Sequence, residues 1–396
     1  MDICVIGLGY IGLPTAALLA NEGHLVTGVD VSSRVVNTIN EGKIHIVEPE
    51  LFNFVSKAVA NKRLIASLKP TTADIFILAV PTPFHQNNIP NIDYVIASAY
   101  SIAPYLKPGN IVILESTSPV GTTEKVEKTL REEGVDTSQL HIAHCPERVL
   151  PGHIMRELVE NDRIVGGLTL ESSEKVAGFY RSFVTGDVLV TDARTAEMAK
   201  LTENSFRDVN IAFANELSIL CDKFEIDVWE LIRLANRHPR VNILQPGTGV
   251  GGHCIAVDPW FIVHEGGADA RMIRAAREIN DYKTIWVIEK IVTEIELFQK
   301  EYKRLPVVAC MGLAFKPNID DLRESPALEV FQALQAKNFE VLAVEPNLKH
   351  HSSIYLTVWQ DAIEEADILV YLVSHKEFID LKPKIKTLDF CGVEQL

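Results

Sequence analysis

The 396-residue sequence has no CxxC pair, no histidine–cysteine cluster at zinc spacing, and no internal repeat or low-complexity run. Its six cysteines, at 4, 145, 221, 254, 310 and 391, are scattered, which argues against a disulfide framework and a structural metal site. No metal is therefore expected. Positive charge is also in deficit: the net charge of −15 argues against a nucleic-acid-binding surface, since polyanions select for clustered lysine and arginine. The apolar run from Ile3 to Ala20 resembles a secretory signal, but it follows Asp2, lacks a basic flank, and contains three glycines and a proline. It reads instead as buried strand, turn and helix, in a protein of the reducing cytoplasm that does not insert into a membrane.

With 47% apolar and 23% charged residues, the composition is that of a globular chain with a sizeable core. Single cores stop growing at roughly 250–300 residues, so two or three domains are expected.

Ile3 to Ile6 has the continuous apolar character of a buried parallel strand. It runs into Gly7-Leu8-Gly9-Tyr10-Ile11-Gly12, then a helical stretch to Ala20. A second strand, Leu25 to Val29, ends at Asp30. Strand, GxGxxG, helix and a later acidic residue form the pattern of a dinucleotide-binding turn. Its glycines allow a tight bend and close backbone approach to a pyrophosphate, the helix N-terminus stabilises the phosphate charge, and the acid accepts hydrogen bonds from a ribose. Asp30 repels a 2′-phosphate, which favours NAD over NADP; Arg34 lies nearby in sequence.

Further strands are expected at Ala73 to Val80, Asn110 to Leu114 and His141 to Cys145. Their following loops carry Thr82, Ser116, Thr117, Glu147 and Arg148 to the ligand side of a doubly wound sheet. From Asp192 long helices take over, roughly Arg194 to Phe224 and Asp269 to Leu297. On the first, Lys200 and Asn204 share a face, with Arg207 nearby. An α/β pattern returns with strands at Leu305 to Met311, Glu340 to Val344 and Asp367 to Val373. The loop after the first of these carries Lys316 and Arg323, suited to a diphosphate. The charged run Glu294 to Arg304 is the expected boundary. The fold class is thus α/β: two Rossmann-like parallel-sheet domains (residues 1–190 and 301–396) joined by a central helical domain (191–300) that suits a homodimer.

Between the helices lies PGTGVGGHCIAVDPW, residues 246–260. A cysteine just after Gly249, Gly251 and Gly252 is badly placed for a core, so Cys254 is a candidate nucleophile, which requires the thiolate form that a nearby cation favours. Gly251 and Gly252 permit close approach to a ligand. His253 is read as structural or supporting.

These segments resemble a family. GLGYIG, PTP, STSPVGTT, PER, AKLTEN, GVGGHC followed by Asp258, and GLAFKPNIDDLRES occur in the order found in UDP-glucose/GDP-mannose dehydrogenases. In finer detail, KLTENSFRDVNIAFANELS, NRHPRVNILQPG and GGHCIAVDPWFIV are similar to the bacterial UDP-N-acetyl-D-mannosamine dehydrogenases of surface polysaccharide synthesis. The UDP-glucose branch has lysine where this chain has Val257. Members like this one generally have proline where it has Thr248.

The resemblance implies a four-electron, NAD-dependent oxidation of a UDP-sugar C6 hydroxyl to a carboxylate, through a thiohemiacetal and a thioester on Cys254. It implies Lys200 as proton carrier and oxyanion stabiliser with Asn204 beside it, Asp258 as orienting group, and Glu147 as base for thioester hydrolysis. UDP-sugar candidates are Arg148, Val149, Lys200, Asn204, Arg207, His238, Arg240, Gly252, Phe315 and Lys316, with Arg240 able to serve a neighbouring subunit. NAD candidates are Gly7, Gly9, Tyr10, Ile11, Gly12, Asp30, Arg34, Thr82, Thr117 and Arg323. Two other readings share the N-terminal signal: a two-electron β-hydroxyacid dehydrogenase and a catalytically silent NAD sensor. The former lacks the cysteine and a second α/β domain; Lys200, Cys254 and Asp258 together argue against the latter.

Overall fold

The computed structural model describes residues 1–85 and 88–395. These form two compact units, Met1–Thr202 and Glu203–Leu396, with the boundary inside the helix Ala193–Phe224.

The first unit is built on eight strands: β1 (Asp2–Ile6), β2 (Leu25–Val29), β3 (Leu64–Ser67), β4 (Ile75–Leu78), β5 (Ile111–Leu114), β6 (His141–His144), β7 (Arg163–Gly167) and β8 (Val188–Asp192), in the order 3-2-1-4-5-6-7-8. All neighbours are parallel except β6 and β7. The central strands are buried on both faces, so their alternate residues enter two cores. Ile3 and Val5 pack with Leu13, Ala16 and Leu19 of the helix Gly12–Asn21, whereas Cys4 and Ile6 pack with Phe76, Leu78 and Val112. Strand order reverses between β1 and β4, and such a switch point opens a ligand crevice at the strands' carboxyl ends.

The second unit carries four parallel strands, β9 (Val307–Met311), β10 (Glu340–Val344), β11 (Ile368–Tyr371) and β12 (Lys386–Asp389), in the order 10-9-11-12. One face is covered by Val287, Ile291 and Ile295 of the helix Arg271–Tyr302 and by Val330, Phe331 and Leu334 of the helix Pro326–Ala336. Tyr371, Phe378 and Ala362 fill the other. The central helices and the second sheet therefore belong to one unit. The run Glu294 to Arg304, expected as a boundary, is helical as far as Tyr302, and the turn comes at Lys303 with a left-handed φ of 59°. Ile295 and Phe298 of this run pack into the sheet's core, whereas Leu297 is exposed and Glu294 pairs with Lys386 of β12 at 3.1 Å. Among the described residues no helix is long and apolar enough to cross a membrane.

Candidate active site

In the first unit the glycine turn follows β1. Gly7 has φ +92°, and a Cβ there would stand 2.5 Å from the Ala79 carbonyl oxygen; one on Gly12 would stand 1.8 Å from the Gly7 oxygen. These two glycines are demanded by the turn itself. Gly9 is different: nothing lies within 4 Å of its Cβ position, so its backbone faces open space where a phosphate can approach. The helix Gly12–Asn21 begins without a side-chain cap, leaving its N-terminus to a ligand. Tyr10 is exposed and Ile11 half-buried beside it. Asp30 ends β2; its carboxylate accepts the N–H of Leu8 at 3.1 Å and of Ser32 at 2.9 Å, fixing it against the turn. Thr82 donates to the Thr117 carbonyl at 2.7 Å, and Ser116 bridges to the Val80 backbone at 2.7 and 2.9 Å. The two threonines thus hold adjacent loops of the switch point together. Arg34 is exposed on the helix Ser33–Asn40. The donors and the open cradle fit a dinucleotide.

Glu147 follows β6 and is 7% exposed. Its Oε2 accepts from Arg163 Nη1 at 2.6 Å and its Oε1 from the Arg148 N–H at 2.7 Å. Arg148 itself reaches the Asp162 carbonyl at 3.1 Å. Val149 packs against the first unit's core. Lys200, half-buried, lies one turn beyond Glu197, which is fully buried and accepts from the Gly121 N–H at 2.6 Å and the Thr123 N–H and hydroxyl at 2.8 and 2.7 Å. Glu197 thereby pins the turn that carries Lys200 to the start of the helix Thr122–Glu132. Burial pushes its carboxyl above the usual range, and those donors oppose the shift.

None of the six cysteines is in a disulfide: Cys4 and Cys145 of the first unit and Cys221 and Cys310 of the second are buried, Cys391 is partly covered, and Cys254 of the second unit is exposed. Its carbonyl accepts the N–H of Val257 and Asp258 at 3.1 and 2.8 Å, which seats the cysteine one turn before the helix Asp258–Gly266. The Asp258 side chain is buried and accepts from the Asn204 amide, bringing together two residues 54 apart in sequence. Gly252, with φ +83°, would place a Cβ 2.8 Å from the Phe315 ring, and a Cβ on Gly251 would stand 2.2 Å from the Glu324 oxygen. The glycine loop therefore lies directly on the segment after β9, and the absence of side chains is what allows it.

Buried polar bonds fix that loop. Gly247 donates to Asn215 Oδ1 at 2.9 Å; Asn215 in turn donates to Asn280 at 2.9 Å, and Asn280 to Asp208 at 2.8 Å. Arg277 pairs with Asp208 at 2.8 Å. Thr248 donates to the Leu372 carbonyl at 2.6 Å and accepts at its own carbonyl from Thr284 at 3.1 Å. On the other side, Glu345 ends β10 and accepts the N–H of Leu313 and Ala314 at 2.8 and 2.9 Å, just before Phe315 and Lys316. Its Oε2 also faces His375 Nε2 at 3.0 Å. It occupies the place in the second sheet that Asp30 occupies in the first.

Arg323 pairs with Asp321 at 2.6 Å within the loop after β9. His253, on the glycine loop, keeps much of its surface in solvent; partial desolvation of its ring, then Arg323, lower its tendency to protonate. Lys316, Arg207, His238 and Arg240 are exposed; the Arg240 N–H donates to His238 Nδ1 at 3.3 Å. Arg163, Glu197 and Glu345 went unread in the sequence. For Glu345 a signal existed, an acid directly after the second strand of a second parallel sheet.

A dinucleotide turn at a switch point and a second parallel sheet with a cysteine-bearing loop define a nicotinamide-dependent dehydrogenase of two nucleotide-binding folds. The chain belongs to the UDP-glucose/GDP-mannose dehydrogenase family: the family's NAD binding, central and UDP binding domains match residues 1–184, 194–282 and 309–389. Its cofactor is NAD, and it is a nucleotide-sugar dehydrogenase. It is 55% identical over 98% of both chains to a UDP-N-acetyl-D-mannosamine dehydrogenase of Campylobacter jejuni. It is 54% identical, over 95% of this chain and 91% of the relative, to an NDP-N-acetyl-D-galactosaminuronic acid dehydrogenase of Ralstonia nicotianae. Among solved structures, the UDP-N-acetyl-mannosamine dehydrogenase of Staphylococcus aureus matches with a TM-score of 0.87 and 38% identity, over 99% of this chain and 95% of that one.

Proposed function

We propose that the protein oxidises the C6 hydroxyl of UDP-N-acetyl-D-mannosamine to the carboxylate, for surface polysaccharide precursors, with Cys254 as covalent nucleophile. The observation that carries this reading is the exposed Cys254 on a glycine loop, one turn before Asp258, whose buried carboxylate is held by Asn204. The full-length likeness to the Campylobacter enzyme supports the substrate.

When bound, held by Gly7, Gly9, Tyr10, Ile11, Gly12, Asp30, Thr82 and Thr117, NAD takes up a hydride at each oxidation stage. Lys200 accepts the C6 hydroxyl proton and then stabilises the oxyanion, while Asn204 and Asp258 hold the acid–base geometry. The Cys254 thiolate adds to the aldehyde carbon, which prevents its escape as a reactive product. Loss of the second hydride leaves a thioester on the sulfur. Water, deprotonated by Glu147, attacks the acyl carbon; the C–S bond breaks and the thiolate returns. Phe315, Lys316 and Arg148 are assigned to the UDP-sugar, with Val149, Arg207, His238, Arg240 and Gly252. Arg34 and Arg323 complete the assignment at the cofactor.

Phe206, Phe213 and Leu220 are exposed at seven-residue spacing along the helix Ala193–Phe224, a stripe suited to a second copy of the chain in a homodimer. Sedimentation showing a monomer at working concentration removes this assignment. The six unbridged cysteines, four of them buried, suit a cytoplasmic enzyme.

Steady-state comparison of UDP-N-acetyl-D-mannosamine, its N-acetylgalactosamine and N-acetylglucosamine counterparts and UDP-glucose tests the substrate. A kcat/KM for any of these above that for the mannosamine sugar overturns it.

A further inference from the structure

The base assigned to hydrolysis rests on a sealed cluster that the reaction above does not use. Arg163, 2% exposed, donates Nη1 to Glu147 and Nη2 to the Leu158 carbonyl at 2.9 Å. Its guanidinium carbon lies 5.2 Å from the centroid of the Tyr180 ring. The Tyr180 hydroxyl donates to Glu115 Oε1 at 2.7 Å. Glu115 ends β5, is 2% exposed, and its Oε2 has no hydrogen-bond partner among the described residues. The chain of contact therefore runs from Glu147 through Arg163 and Tyr180 to a second buried acid.

Two carboxylates sharing one guanidinium, with Glu115 and Arg163 only 2% exposed, have their lowest free energy with one carboxyl protonated. Burial, then repulsion from Glu147, pushes the Glu115 carboxyl up to about 7; Arg163 and the Tyr180 hydroxyl act against this. The titratable and charged groups facing Glu115 are Glu147, Arg163, Tyr180 and Cys145, with Thr15 as a further polar neighbour. Burial drives the Cys145 thiol up to about 12, so it stays neutral.

We infer that Glu115 is a positioning residue for thioester hydrolysis, setting the proton affinity of Glu147 through Tyr180 and Arg163. This rests on Glu147 being the hydrolytic base. With Glu115 protonated, the guanidinium is opposed by Glu147 alone. Once Glu115 ionises, its negative charge competes for that guanidinium, and Glu147 takes the proton of the attacking water more readily. That proton goes to Glu147 and then to solvent; the broken C–S bond returns its electron pair to Cys254.

The test compares wild type, E115Q, Y180F and E147Q, as full chains with NAD and UDP-N-acetyl-D-mannosamine between pH 5.5 and 8.5. The readouts are kcat, KM, and the fraction of enzyme carrying an acyl adduct by rapid-quench intact mass. That fraction is a ratio within the active population, so partial unfolding does not imitate it. In the wild type the adduct fraction falls as pH rises through about 7. E115Q, neutral at every pH, matches wild type near pH 6. At pH 8 it loses about 3- to 10-fold in kcat, as roughly one pKa unit of base strength allows, with KM unchanged and the adduct raised. Y180F flattens the profile in the same direction. An E115Q profile that follows wild type, or a uniform loss at all pH values, overturns the inference. E147Q distinguishes the two claims: if it accumulates adduct while E115Q tracks wild type, only the role of Glu115 falls. If E147Q hydrolyses normally, the base assignment fails and this inference with it.

Discussion

Replacing Gly252 by alanine perturbs the site at one defined contact. The new Cβ would stand 2.8, 3.0 and 3.1 Å from three carbons of the Phe315 ring. Relaxed carbon–carbon contact needs about 3.5 Å, so ring and loop must separate by roughly 0.7 Å. Overpacking of this kind costs about 1–3 kcal/mol, and the left-handed backbone adds about 1–2 kcal/mol for a residue with a Cβ. Because Phe315 is half-buried and assigned to the UDP-sugar, part of this cost appears in substrate binding. KM for the UDP-sugar is expected to rise about 10-fold or more, since about 1.4 kcal/mol is one decade, while KM for NAD stays constant. Gly134→Ala is the control: its φ of +81° is nearly that of Gly252 at +83°, but nothing lies within 4 Å of its Cβ position. Steady-state kinetics and thermal melts of both variants, and of the double variant G252A/F315L, separate strain from contact. If G252A keeps wild-type KM and melts like G134A, the packing of the glycine loop on Phe315 is wrong.

Removing Arg277 leaves Asp208 buried with an uncompensated charge; R277M should lose about 3–5 kcal/mol by urea unfolding, and D208N/R277M should recover much of it. Thr248→Val deprives the Leu372 carbonyl of its buried donor and should cost about 1–3 kcal/mol in the same assay, with kcat reduced because the loop before Cys254 is less firmly tied. For Glu345, burial alone would raise the carboxyl, but the His375 ring and the Leu313 and Asn347 N–H groups win and hold it below its ordinary 4.5. A depressed carboxyl contributes stability above pH 4.5 that is lost as pH falls through the lower folded value. The melting difference between wild type and E345Q should therefore be full at pH 6 and shrink below pH 4.5; a constant difference contradicts the hydrogen-bonded carboxylate.

The architecture was legible where period and punctuation agree. GLGYIG with its flanking strand and Asp30 is recoverable because glycine geometry and the acid's place are local consequences of one turn. Long helices declared themselves by length. Strands such as Arg163–Gly167 and Val188–Asp192 did not, because short half-polar segments carry little periodic signal and one pairs antiparallel in a parallel sheet. The Asn204–Asp258 pair was readable as two candidates, but their contact is tertiary. Arg163 and Glu197 were invisible for the same reason: a buried charge is recognised by its partner, and the partners lie 16 and 74–76 residues away. Thr248 stood out only as a departure from proline, and its tie to Leu372 gives the loop another means of fixation.

The covalent role of Cys254 is tested most directly by counting NADH formed per UDP-sugar consumed, for wild type and Cys254→Ser, alongside intact-mass detection of an acyl adduct in rapidly quenched turnover. The account predicts two NADH per sugar and an adduct on Cys254 in the wild type, and no net acid formation by the serine variant, with NAD binding intact. One NADH per sugar, or carboxylate production by the serine variant at the wild-type rate, contradicts it.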